Sequence, residues 1–135
     1  MSSTYLWKVA TKETVDKYTI AIGANSERNE YHDMTFEAAG DWHSVRTYQT
    51  FPTEFHLVVP SAGIDLRMKA SIADSEFITA ISEPSFWEGR IEVAGTYAGQ
   101  PVKGLGFVEV HGYNTLKKLD SFLKAVSSQV LRLAR

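Results

Sequence analysis

Apolar residues recur at two different periods along this chain. As far as about residue 113 they alternate with polar ones in short runs, the pattern of half-buried strands whose successive side chains point to opposite faces. Tyr5–Ala10 alternates around Tyr5, Trp7 and Val9, and Lys17–Ile22 around Tyr18, Ile20 and Ile22. The polar stretch Gly23–Asp33 is expected to be a loop. Met34–Ala39 reads as a strand ending at Gly40, Phe55–Val59 as a branched apolar strand, and Pro60-Ser61-Ala62-Gly63 as the turn that follows. Ile64–Ala70 alternates most cleanly, with Ile64, Leu66, Met68 and Ala70 on one face and Asp65, Arg67 and Lys69 on the other. Glu76–Ala80 is a short candidate strand. Phe86–Val110 then has the grammar of a hairpin, with Arg90–Tyr97 outbound, Ala98-Gly99-Gln100-Pro101 as the turn and Val102–His111 returning. Gly104 and Gly106, two apart in the return strand, predict a face that meets something bulky, or a bend.

The tail changes period. Leu116, Leu119, Phe122, Leu123, Val126, Val130 and Leu133 fall three or four apart, which predicts an amphipathic helix over about 114–134. About seven to nine short strands with no helix between them imply an all-β fold. Its antiparallel sheet has local connections, is closed or nearly closed into a barrel, and is followed by one C-terminal α-helix. The length of 135 residues suits one domain, with strands over about 5–113, large enough to fold without disulfide or metal staples.

Charge and composition narrow the function. With 14 basic and 16 acidic side chains, the net charge of -2 offers no cationic field for nucleic acid, so nucleic-acid binding is disfavoured. The absence of cysteine removes disulfides, thiolate nucleophiles, Cys-ligated zinc and iron–sulfur clusters together. No apolar run approaches the ~20 residues that span a bilayer. The opening Met1–Trp7 has neither the cationic nor the apolar region of a secretory signal, so a cytoplasmic protein with no membrane span is expected.

Motifs for common chemistries are missing. His32, His43, His56 and His111 never occur as H-x-H or H-x3-H, so no metal site is expected. There is no G-x-S-x-G elbow, and Gly104-Leu105-Gly106 lies within a strand rather than before a helix, so no nucleotide cofactor is expected. Carboxylates remain. Glu88, beside Trp87 and Gly89, is the leading candidate acid, because desolvation against an indole raises a carboxyl pKa. A carboxylate held by backbone N–H groups at a bulge is the competing reading. Asp41 and Glu109 are the other catalytic candidates, and Glu92 is read as pairing across the strand with Lys103 or facing water. Trp42, Tyr48, Phe51, Trp87, Tyr97, Phe107 and Tyr113 supply large apolar area with polar tips. They would line a hydrophobic substrate pocket if the barrel is hollow, or fill its core if it is not.

Two segments carry a family resemblance. The first is Phe86-Trp87-Glu88-Gly89-Arg90-Ile91-Glu92-Val93-Ala94-Gly95-Thr96, followed by the run from Gly99 through Gly104-Leu105-Gly106-Phe107-Val108-Glu109 to Gly112-Tyr113. The second is Thr50–Leu57 with Val59-Pro60 and Ile64-Asp65-Leu66. From about Trp42 to Tyr113 the chain resembles the C-terminal half of the CrtC/AttH-type lipocalin-like proteins, a group that includes bacterial carotenoid 1,2-hydratases and fungal lipocalin-like Diels–Alderases. The resemblance implies a lipocalin/calycin-like β-barrel and a hydrophobic substrate held within or between two tandem domains. This chain has room for one, and is expected to be a free-standing version or a C-terminal domain, served by a second copy or by a partner lipocalin-like chain.

The function implied is cofactor-independent cyclisation or isomerisation of a polyene, polyketide or terpenoid intermediate in natural-product biosynthesis. Confinement alone can lower such a barrier by up to ~7–11 kcal/mol. A hydratase or dehydratase using a carboxylate acid is the alternative, as is a non-catalytic carrier of hydrophobic ligands or an accessory subunit.

Overall fold

The computed structural model describes residues 2–8, 13–78 and 85–111, with side chains from residue 17 onward. Nine antiparallel strands follow in chain order: β1 (Ser2–Lys8), β2 (Glu13–Ile22), β3 (Arg28–Tyr31), β4 (Thr35–His43), β5 (Thr50–Val59), β6 (Ile64–Ala70), β7 (Glu76–Phe77), β8 (Phe86–Tyr97) and β9 (Gln100–His111). β1, β2 and β3 form one sheet in that order. The second runs β4-β5-β6-β8-β7, with β9 paired along β8. The all-β antiparallel class is as the alternation requires, and among the described residues the sheets are not closed into a complete barrel. The helix expected over 114–134 lies outside the described residues.

Two local expectations give way. The stretch expected as a loop contains β3, whose residues Arg28–Tyr31 pair with Ile22–Thr19 of β2. This strand is nearly all exposed, so it carries no apolar alternation to be read. β4 does not stop at Gly40 but bends there (φ 69°) and continues to His43, because Trp42 stacks on Phe51 of β5 with ring centroids 6.3 Å apart.

One face of the larger sheet is the core. Met34, Leu57, Val59, Ile64 and Leu66 make one buried cluster; Phe51, Phe55, Trp87, Ile91 and Val110 make the other. Phe36, Met68 and Val93 pack against both. The smaller sheet is tied to this core at Met34: Lys17 Nζ donates to the Met34 carbonyl at 2.6 Å, and the Thr19 hydroxyl to its sulfur at 3.4 Å. Trp87 anchors the second cluster. Its side chain is wholly buried, and its indole N–H donates to the Ala73 carbonyl at 2.7 Å. The neighbouring Gly89 is required by that ring, since a Cβ there would stand 2.6 Å from Trp87 Cη2. Of the two glycines in β9, Gly106 does meet bulk, the Ile91 side chain at 3.3 Å, whereas a Cβ at Gly104 would meet nothing within 4 Å.

The β8–β9 hairpin closes through Ala98 and Gly99, both at positive φ (48° and 75°), the conformation of a two-residue primed turn. Ala98 is strained there, while Asn is at home. Ala98→Asn should stabilise the protein by about 0.5–1 kcal/mol in urea unfolding. Trp87→Ala should cost about 3–5 kcal/mol in the same measurement, as expected for an indole that is core rather than pocket wall.

Candidate functional site

The register places three consecutive residues from each of five strands, 37–39, 54–56, 67–69, 92–94 and 103–105, around an open concavity of about 740 Å³. Its middle row, Ala38–Phe55–Met68–Val93–Gly104, runs straight across the strand pairings and is apolar or small throughout. The two flanking rows are Glu37–His56–Arg67–Ala94–Lys103 and Ala39–Glu54–Lys69–Glu92–Leu105. Alternation sends the middle row to one side of the sheet and the flanking rows to the other. Glu54 is paired with Lys69 at 3.2 Å and His56 with Asp65 at 2.8 Å, just outside the row. Glu37, Arg67, Glu92 and Lys103 form no ion pair among the described residues. Of the two readings of Glu92, exposure to water holds rather than pairing with Lys103: Leu105 stands opposite Glu92, and Ala94 opposite Lys103. This volume falls within the range of small-molecule sites.

The proposed acids separate. Glu88 and Glu109 face each other directly across β8 and β9, both exposed, and Glu109 is bonded to His111. His111 in turn stacks on Phe86, with centroids 5.0 Å apart, and Phe86 on Phe77. Asp41 lies on β4 opposite Pro52, with β5 and β6 between its strand and β8. None of the three is among the residues lining the concavity. The aromatics separate as well. Phe51 and Trp87 are wholly buried in the second core cluster, with Trp42 packed beside them. Tyr48, Tyr97 and Phe107 are exposed on other parts of the surface. Tyr113 lies outside the described residues.

A buried glutamate does stand opposite Trp87 across the β7–β8 pairing, and it is Glu76. Strand alternation turns Glu88 to the opposite face from its chain neighbour, whereas Glu76 is Trp87's partner across β7 and β8. Its side chain is fully buried. The Ser44 and Thr47 hydroxyls donate to the two carboxylate oxygens, and the Ser85 hydroxyl adds a third bond at 2.8 Å. Arg46 Nε stands 3.5 Å away, and the same guanidinium pairs with Asp74. Burial pushes this carboxyl up, but the Ser44, Thr47 and Ser85 hydrogen bonds and the Arg46 charge together outweigh it and hold Glu76 below its ordinary 4.5. It is an anion at neutral pH and no proton donor. Its work is to fasten the 44–49 loop to β7, a tie between residues about thirty apart in sequence for two of the three bonds. Nothing in the short, unpatterned segment around Glu76 marked it in the sequence; the only signal was the local excess of hydroxyls at Ser44, Thr47 and Ser85.

Each described histidine has its own local partner: His32 with Glu30, His43 with Thr50, His56 with Asp65 and His111 with Glu109. Among the described residues, no three His, Asp or Glu side chains converge as metal ligands would.

Comparison with known proteins follows the same outline as the fold. The model of the AttH-like family matches residues 5–113. The chain belongs to the AttH-like family. Kievitone hydratase from Nectria haematococca shares the fold with a TM-score of 0.68 at 22% identity, over 84% of this chain and 34% of its own. An AttH-type protein from Nitrosomonas europaea gives 0.64 at 21% identity, over 77% and 32%. This AttH-like chain thus spans about a third of the length of the solved structures it matches. No curated protein matches its sequence. The AttH-like segment ends at Tyr113, so it covers both the concavity and the Glu76 anchor.

The lowered pKa of Glu76 makes a signed prediction. A folded-state value below 4.5 stabilises the fold above that pH, and the contribution is lost as pH falls through the folded value. Glu76→Gln should cost about 1–3 kcal/mol at pH 7. The gap between wild type and variant should close as urea unfolding is repeated at pH values descending below 4.5. Asp33, also held low, by the Ser61 hydroxyl and N–H, contributes equally to both proteins and cancels in the difference.

Proposed function

We propose that this AttH-like chain binds a small apolar molecule of the isoprenoid, polyene or polyketide kind in the concavity and adds water across one of its double bonds, without a cofactor. The observation that carries the reading is the row Ala38–Phe55–Met68–Val93–Gly104, an apolar band across the five strands of the concavity whose two ends, Ala38 and Gly104, are exposed. Of the structures sharing the fold, one is a hydratase by name. In such a reaction a carboxylic acid gives its proton to one alkene carbon, water adds to the other, and the carboxylate takes back a proton from that water. Glu37 and Glu92 border the concavity with no ion pair among the described residues, but they alternate to the other side of the sheet from the apolar band, as do Glu88 and Glu109, so the described residues set no carboxylic acid against that band.

A second reading, cyclisation or isomerisation by confinement, is favoured by one particular observation. The buried carboxyl beside Trp87 is held ionised, so the interior of the described structure offers no acid there, and rate enhancement would come from holding reacting carbons together.

Mass spectrometry of reactions run in oxygen-18 water with a panel of such olefins separates the two. Hydration yields a product carrying one heavy oxygen, and cyclisation an isobaric product. Gly104→Phe, which fills the hollow from a position with open space, should weaken substrate binding about tenfold with an unchanged melting temperature. Absence of both product and binding across the panel would end the proposal.

A further inference from the structure

β9 is an edge strand whose pattern fits a second copy of itself. It pairs with β8 along its full length and, among the described residues, with nothing on its other side. The backbone groups exposed on that free edge can be assigned. Glu88 N–H donates to the Ser75 carbonyl and Arg90 accepts from Ser71, so both turn their backbone away from β9. Their partners across the pair, Glu109 and Phe107, must then turn theirs away from β8. The same parity puts the N–H and C=O groups of Lys103, Leu105 and His111 on the free edge, and it puts Pro101, which lacks an N–H, at its end.

Natural edges of this length are usually blunted by short strands, bulges or inward charges. Here Pro101 and Lys103 guard only one end of twelve residues, while Leu105 and Phe107, 66% and 73% exposed, stand in the middle.

We propose that two copies of this chain associate through antiparallel β9–β9 pairing about a two-fold axis at Gly106, which joins their larger sheets into one. The sequence from Pro101 to His111 is palindromic in chemistry about that residue. On the exposed face, Leu105 comes opposite Phe107 of the second copy and Lys103 opposite its Glu109. On the other face, Val102 meets Val110, Gly104 meets Val108, and Gly106 meets itself. Every edge N–H from Lys103 to His111 finds a carbonyl, including that of Pro101, which only accepts. No other register centred within the strand sets a cation opposite an anion and both exposed apolar side chains against each other. An isologous interface of this kind closes as a dimer rather than growing into a fibre. The inference is independent of the proposed reaction, since it uses neither the hollow nor its carboxylates.

The chain has no cysteine, so a single introduced thiol reports on the register. At the axis, Gly106→Cys faces its twin in a non-hydrogen-bonded pair about 4.5 Å apart at Cα, within disulfide reach. Gly104→Cys, with open space around its Cβ, lies four residues out of register with its own copy. Mild oxidation should link Gly106→Cys into a dimer and leave Gly104→Cys monomeric. Sedimentation supplies the second arm, with circular dichroism as the check on folding. Lys103→Glu alone should weaken association about tenfold, because it sets like charges across both ends of the interface. Lys103→Glu with Glu109→Lys should restore it. A wild-type chain that stays monomeric at all concentrations, equal cross-linking of the two thiols, or no rescue by the double exchange would each overturn the proposal.

Discussion

The Trp87 indole is the element on which the larger sheet depends. It fills the second core cluster, covers Gly89, and gives its N–H to the Ala73 carbonyl, so it fixes the segment leading into β7. That segment presents Glu76 across from Trp87, and Glu76 in turn collects the Ser44, Thr47 and Ser85 hydroxyls. A buried carboxylate is tolerable only when its lone pairs are met by donors, and here they are met from two separate segments, the 44–49 loop and Ser85. The apolar contact and the polar tie are therefore one device: the ring positions the backbone, and the carboxylate fastens a distant loop to it.

The same sheet presents two chemistries on its two sides because strand geometry allows nothing else. Side chains at even spacing along β5, β6 and β8 enter the clusters, and the residues between them carry charge to the opposite face. Small residues decide where the sheet stays open. Ala38 and Gly104 end the middle row of the concavity, where Phe or Leu would close it. Gly106, two positions on, is spent instead against Ile91. In β9, glycine thus answers two separate needs, space left open and space already taken.

The AttH-like assignment and the hollow support each other. The family match spans every strand that lines the concavity, and it corresponds to about a third of the length of the solved structures that share the fold. Among the described residues the sheet leaves a concavity open at Ala38 and Gly104 and a long edge unpaired along β9; the proposed binding site rests on the first feature and the proposed dimer on the second.

The sequence by itself determined the all-β class, the bounds of β6, the β8–β9 hairpin and the family. Each of these rests on alternation or on local motif spacing, which neighbouring residues encode. It did not disclose β3, whose exposed residues bury too little to alternate, nor the passage of β4 through Gly40, which depends on Trp42 meeting Phe51 in another strand. The carboxylates show the same divide. Reading along the chain, Glu88 adjoins Trp87, yet alternation turns it outward to face Glu109. The buried glutamate that stands opposite Trp87 is eleven residues earlier and is brought there only by the β7–β8 pairing. Its protonation state was likewise set by hydroxyls from two other segments, because a pKa is fixed by the groups that surround a side chain in space, and those are chosen by strand register rather than by sequence order.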